Sequence, residues 1–170
     1  MKLAYLFSGQ GAQTLGMGQD LYDQYRTYRQ IIDEASLICG FDIQEKTHDL
    51  AALQNTAMLQ PMIVAMSYGI YQLLAERALP TPVAHLGLSL GEYSALLASQ
   101  AMTPKTGLAL VTKRGQLMQT ASDKTKGQMV AVMTKEHDKV TAICQSITVG
   151  YVNVANVNTN NQVVDRKSVV

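Results

Sequence analysis

The chain has 170 residues, with 14 Lys+Arg against 13 Asp+Glu and a formal net charge of +1. Hydrophobic residues make up 47% and charged ones 16%, which excludes a disordered polyelectrolyte and gives no general field for gripping nucleic acid or anionic lipid. The length suits one domain, or a domain with a small appendage.

Cys39 and Cys144 lie far apart and lack any CxxC or CxxH partner, so neither a disulfide framework nor a zinc site is expected. His48, His85 and His137 show no metal-ligand spacing either. The apolar run after Lys2 stops at Gly9 and Gln10, too early for a signal peptide. Residues 50–75 carry no charge, but Gln54, Asn55, Gln60, Pro61, Ser67 and Gln72 would put too many polar groups into lipid. A helix buried inside a cytoplasmic protein fits this stretch better, and no membrane partner is expected.

In chain order, residues 2–7 form an apolar run of strand length, closed by Ser8-Gly9-Gln10-Gly11. Residues 19–38 predict one or two helices, with Leu21, Tyr25, Tyr28, Ile31, Ile32, Ala35 and Ile38 recurring near period 3.6 and Gly40 at the C′ position. Pro61, in the first-turn position that proline tolerates, is expected to open a long helix through Arg77. Pro80 and Pro82 break it, residues 83–87 read as a strand and residues 91–99 as a helix. Another helix starts at Pro104 and runs to Ala121, followed by a polar connection over residues 122–127. Beyond it a strand (128–133), a helix (135–147), a β-branched strand (149–157), a turn (158–161) and a returning strand from Gln162 make a small β-α-β-β unit. Strand and helix alternate in the first part, which favours a mainly parallel α/β layer.

Gly87-Leu88-Ser89-Leu90-Gly91 matches G-x-S-x-G between a predicted strand and a predicted helix. A sharp strand-to-helix turn pushes a serine hydroxyl outward, and flanking glycines give room for the strained backbone. The helix N-terminus then offers N–H groups and positive dipole to a developing oxyanion. The structural alternative is a glycine-flanked serine that caps a helix.

The glycine loop after the first strand invites a nucleotide reading, which fails. Thr14 stands where a dinucleotide fingerprint needs Gly or Ala, and Met17 stands where a phosphate loop needs Lys. What remains is a turn that aims backbone N–H groups at a neighbouring site, as an oxyanion hole requires, or a turn with only a structural role.

In the helix after Pro104, Leu110, Val111, Leu117, Met118 and Ala121 form an apolar stripe that Arg114 shares. A guanidinium on such a face needs an anion, because burying it unpaired is costly. Its planar fork suits a carboxylate held bidentately, from a substrate or from an internal partner such as Glu92.

Taken together, the chain resembles the malonyl-CoA:acyl carrier protein transacylase family. The resemblance rests on Phe7-Ser8-Gly9-Gln10-Gly11-Ala12-Gln13, on Gly87-Leu88-Ser89-Leu90-Gly91-Glu92-Tyr93-Ser94 and on Lys113-Arg114-Gly115-Gln116-Leu117-Met118. Residues 128–132 and 156–164 fit the family's small subdomain. The resemblance implies an α/β-hydrolase-like parallel-sheet subdomain and the beginning of a ferredoxin-like one. It places an incomplete large subdomain at residues 1–124, an incomplete small one at 125–165 and an off-pattern tail at 166–170. It implies malonyl-CoA as substrate, acyl carrier protein as partner and no cofactor. Ser89 would be the nucleophile, the backbone N–H groups of Gln10 and Leu90 the oxyanion hole, and Arg114 the binder of the malonyl carboxylate.

Two departures accompany the resemblance. Leu88 stands before the nucleophile, where the family often has His. The family's base histidine lies after the completed insert, and none of His48, His85 or His137 matches it. A truncated or frameshifted fragment, inactive on its own, is the expectation. A serine hydrolase or thioesterase with the same elbow, a polyketide-synthase acyltransferase and a non-catalytic remnant are the alternatives.

Overall fold

A computed structural model of the chain describes residues 2–77, 79–124 and 127–168. Contacts divide the chain into two units, Met1–Gln119 and Thr120–Val170.

In the first unit, strand β1 (Ala4–Phe7) pairs in parallel with β2 (Ala84–Gly87), with Phe7 opposite Gly87. Alternation decides the two faces. Tyr5, Phe7 and His85 project to one side, where Tyr71 closes an aromatic cluster. Leu6 and Leu86, directly opposite each other, project to the other side.

Among the described residues, five helices intervene between these strands and two follow them before the next strand. Of the one or two helices expected over residues 19–38, the structure forms two, α1 (Gln19–Gln24) and α2 (Arg26–Cys39), and Gly40 ends α2 at φ 80°, as its position predicts. The buried face of α2 is Tyr28, Ile32 and Ala35, spaced i, i+4, i+7. Two short helices, α3 (Ile43–Lys46) and α4 (Leu50–Gln54), are capped by the Asp42 and Asp49 carboxylates.

Helix α5 (Thr56–Ala75) departs from expectation at its start. It begins at Thr56, where the Asn55 side chain accepts from the Ala57 N–H, so Pro61 lies inside the helix instead of opening it. Its residues 59–65 are buried on all sides, which explains the uncharged run without a membrane. Among the described residues, no helix is long and apolar enough to cross one. Helix α6 (Gly91–Ala98) follows the elbow, and α7 (Pro104–Lys124) outruns the predicted end at Ala121. Part of the predicted polar connection, at 125 and 126, lies outside the described residues.

The second unit contains β3 (Gly127–Met133), α8 (His137–Ser146), β4 (Tyr151–Thr159) and β5 (Gln162–Ser168). The sheet order is β3-β5-β4, and both neighbouring pairs are antiparallel. Strands β3 and β4 therefore run parallel, joined through α8, with β5 slotted between them as in a split β-α-β unit. Backbone pairing of β5 continues through residue 168, into the segment expected to be an off-pattern tail.

Candidate active site

The elbow is built by crowding at the carboxyl ends of β1 and β2, where ligands of parallel sheets bind. Ser89 has φ 53°, a left-handed conformation that an L-residue adopts only when its surroundings impose it. The surroundings are backbone. A Cβ on Gly87 would lie 2.1 Å from the Gly91 carbonyl, and one on Gly91 would lie 2.2 Å from the Phe7 carbonyl oxygen. The turn is closed by Gly91 N–H donating to the Leu88 carbonyl (2.9 Å) and Glu92 N–H donating to that of Ser89 (3.2 Å). The serine side chain is left exposed at the start of α6.

The glycine loop after β1 stands beside this elbow. A Cβ on Gly9 would come within 2.9 Å of the Leu88 carbonyl oxygen and 4.0 Å of the Leu90 nitrogen. Gly11, at φ 116°, donates its N–H to Gln13 Oε1 (2.8 Å), and Gln10 Nε2 reaches Thr56 Oγ1 at 3.5 Å. Among the described residues, the backbone N–H groups of Gln10 and Leu90 have no hydrogen-bond partner.

Arg114 reaches the serine from α7. The buried face of that helix is Gly107, Leu108, Val111 and Gly115, whereas Leu110, Leu117, Met118 and Ala121 are exposed. The predicted apolar stripe is therefore displaced around the helix. The reason is Gly115: a Cβ there would sit 2.9 Å from the Thr56 carbonyl oxygen, so α7 crosses the start of α5 in backbone contact. Half-buried beside that crossing, Arg114 donates from Nη1 to Gln60 Oε1 (2.6 Å) and from Nη2 to Ser89 Oγ (3.2 Å). Its Cζ lies 5.7 Å from the centroid of the Tyr93 ring. Glu92 is not its partner. The ion pairs among the described residues are Lys46 with Glu45 and Asp49, and Lys139 with Glu136.

The structure thus brings Ser89 and Arg114 into direct contact and sets the Gln10 loop beside the Ser89 turn. Two neighbours, Gln60 and Tyr93, were missed. Gln60 carried a signal, as an amide flanked by Leu59 and Pro61 in an otherwise apolar run. No histidine hydrogen-bonds Ser89 among the described residues: His48 Nε2 meets Gln19 Oε1 at 2.9 Å, and His85 is stacked on Tyr5 and Phe7. Cys39 is no rival nucleophile, because burial pushes its thiol pKa up.

An exposed hydroxyl on a strained turn, free N–H groups beside it and a cation in contact with it are the parts of an acyl-transfer site that also receives an anion. The acyl transferase domain family matches residues 4–166. The chain belongs to this family. One relative among acyl transferases is the malonyl CoA-acyl carrier protein transacylase of Staphylococcus aureus strain MRSA252, 37% identical over 167 residues, covering 96% of this chain and 53% of that protein. The crystal structure of MCAT from Streptococcus pneumoniae superposes with a TM-score of 0.85 and 42% identity, over 98% of this chain and 55% of that one. A type II PKS acyl-carrier protein in complex with its malonyl-transacylase gives a TM-score of 0.91 and 31% identity, over 99% of this chain and 55% of the other. The fold is the acyltransferase fold of these neighbours, with a parallel sheet and a small antiparallel one. The chain spans about half the length of these relatives.

Proposed function

We propose that this chain carries the nucleophile and the acyl-selecting arginine of a cytoplasmic malonyl-CoA:acyl carrier protein transacylase. Ser89 Oγ attacks the malonyl thioester carbonyl, its proton passes to a base, and coenzyme A leaves as the thiol. The thiol of the carrier's phosphopantetheine then attacks the malonyl ester and restores the serine. The N–H groups of Gln10 and Leu90 hold the oxyanion, each donor contributing roughly 3 kcal/mol to the barrier reduction. Arg114 binds the free carboxylate and so favours malonyl over acetyl. The base is a group beyond His48, His85 and His137, and no cofactor is invoked.

The observation that carries this reading is the contact between Arg114 Nη2 and Ser89 Oγ, a guanidinium next to an exposed serine hydroxyl. A hydrolase of neutral acyl groups has no use for that guanidinium. The test joins residues 1–164 of this chain to the remainder of the Staphylococcus aureus transacylase, incubates the product with malonyl-CoA and reads intact mass. One malonyl group per chain, passed on to carrier protein, is expected. Ser89→Ala should abolish labelling, and Arg114→Ala should remove the preference over acetyl-CoA. The 170-residue chain alone should stay unlabelled, since losing a base costs on the order of 10⁶ in rate at serine sites. A cooperatively folded chimera that takes up no malonyl group overturns the reading; stoichiometric labelling of the 170-residue chain overturns the assignment of the base.

A further inference from the structure

The Arg114 guanidinium is gripped without being neutralised. Its partners among the described residues, the Gln60 amide oxygen, the Ser89 hydroxyl and the Tyr93 ring, are all uncharged. An arginine offers only donors, so it fixes which way the glutamine faces: Oε1 toward Nη1 at 2.6 Å, leaving Nε2 to meet Met118 Sδ at 3.2 Å. Gln60 is 0% exposed, so its amide lacks water to satisfy it and is held in that orientation by these two partners.

We propose that Gln60 is a positioning residue, a buried neutral anchor that aims Arg114 at the acyl end of the substrate while leaving the positive charge for the substrate's carboxylate. This rests on the reading of Arg114 as a carboxylate receptor. Glutamate at position 60 would keep the anchor but satisfy the charge internally. Leucine would leave the charge but release the aim. Selecting an acyl group that ends in an acid needs both.

The test titrates the 170-residue chain with malonyl-CoA and with acetyl-CoA by calorimetry and reads the ratio of the two affinities. The wild type is expected to prefer malonyl-CoA. Gln60→Glu should lower the ratio roughly tenfold or more, with acetyl-CoA affinity unchanged, because the charge is already paired. Gln60→Leu should lower it less. An amide with a merely structural role gives the opposite order, since glutamate is the closer isostere. Thermal unfolding establishes that each variant is folded, and an unchanged ratio in either folded variant overturns the proposal, as does the reversed order. A wild-type chain with no preference for malonyl-CoA instead removes the carboxylate reading of Arg114, and the proposal falls with it.

Discussion

At Gly91 the missing side chain is a requirement of backbone against backbone. The atom a methyl group would meet is the Phe7 carbonyl oxygen, at 2.2 Å, and that oxygen is held by the β1–β2 register. Gly91→Ala therefore has no flexible neighbour to displace, and either the elbow opens or the strand shifts. A stability loss of about 1–3 kcal/mol is expected from overpacking of this kind. Chemical denaturation checks it, and in an active background Ser89 acylation should disappear as well. Leu88 provides the control. It is 62% exposed, so Leu88→His should change stability by no more than about 0.5 kcal/mol. Ser89 and its flanking glycines were legible in the sequence because the turn's demands are local. Gln60 was not, because its meaning depends on Arg114, 54 residues away, and periodicity carries no information about such a contact.

Helix α1 has six residues, too few to persist without support. It is tied to α2 by Tyr22 Oη donating to Asp33 Oδ1 (2.6 Å), and its end is capped by Arg29, which donates to the Tyr22 carbonyl (2.9 Å) and the Asp23 carbonyl (3.0 Å). The hydrogen bond to Asp33, more than any other influence, pushes the Tyr22 phenol up to about 12. A raised phenol leaves stability intact below the unfolded value near 10 and removes it as pH climbs toward about 12, because the unfolded state ionises first. Burial pushes Tyr28 in the same direction. The urea midpoint should therefore fall above pH ~10, and Tyr22→Phe should make that fall shallower without abolishing it. At this scale the strands and long helices were legible from their periods. The start of α5 was not, because the proline signal at Pro61 was weighed above the cap at Asn55, and a proline past the first turn proved compatible with the helix. Helices α3 and α4, four and five residues long, are shorter than any period can reveal; only the carboxylates of Asp42 and Asp49 marked them.

The first unit gathers its core around α2 and α5, from Tyr28 and Ile32 to Met62 and Val64, and hangs a two-stranded sheet beside it. A sheet of two strands is marginal by itself and depends on what covers its faces. One face is covered by the aromatic cluster of Tyr5, Phe7, Tyr71 and His85. On the other, Leu6 is 80% and Leu86 54% exposed, paired across the strands, with exposed Leu88 continuing the patch beyond β2. Composition alone could not reveal this, since an average hydrophobic content is the same whether leucines lie inside or outside. Apolar surface beside unpaired strand edges drives association. The 170-residue chain should therefore sediment as a concentration-dependent mixture, with weight-average mass rising as protein is added. Leu86→Glu places a charge at the centre of the patch, opposite Leu6, and should shift the mixture toward monomer with little change in the thermal midpoint, because more than half of Leu86 is already in solvent. If the wild-type chain stays a single sharp species over a hundredfold range of concentration, or Leu86→Glu leaves the distribution unchanged, the sheet face is not where copies meet.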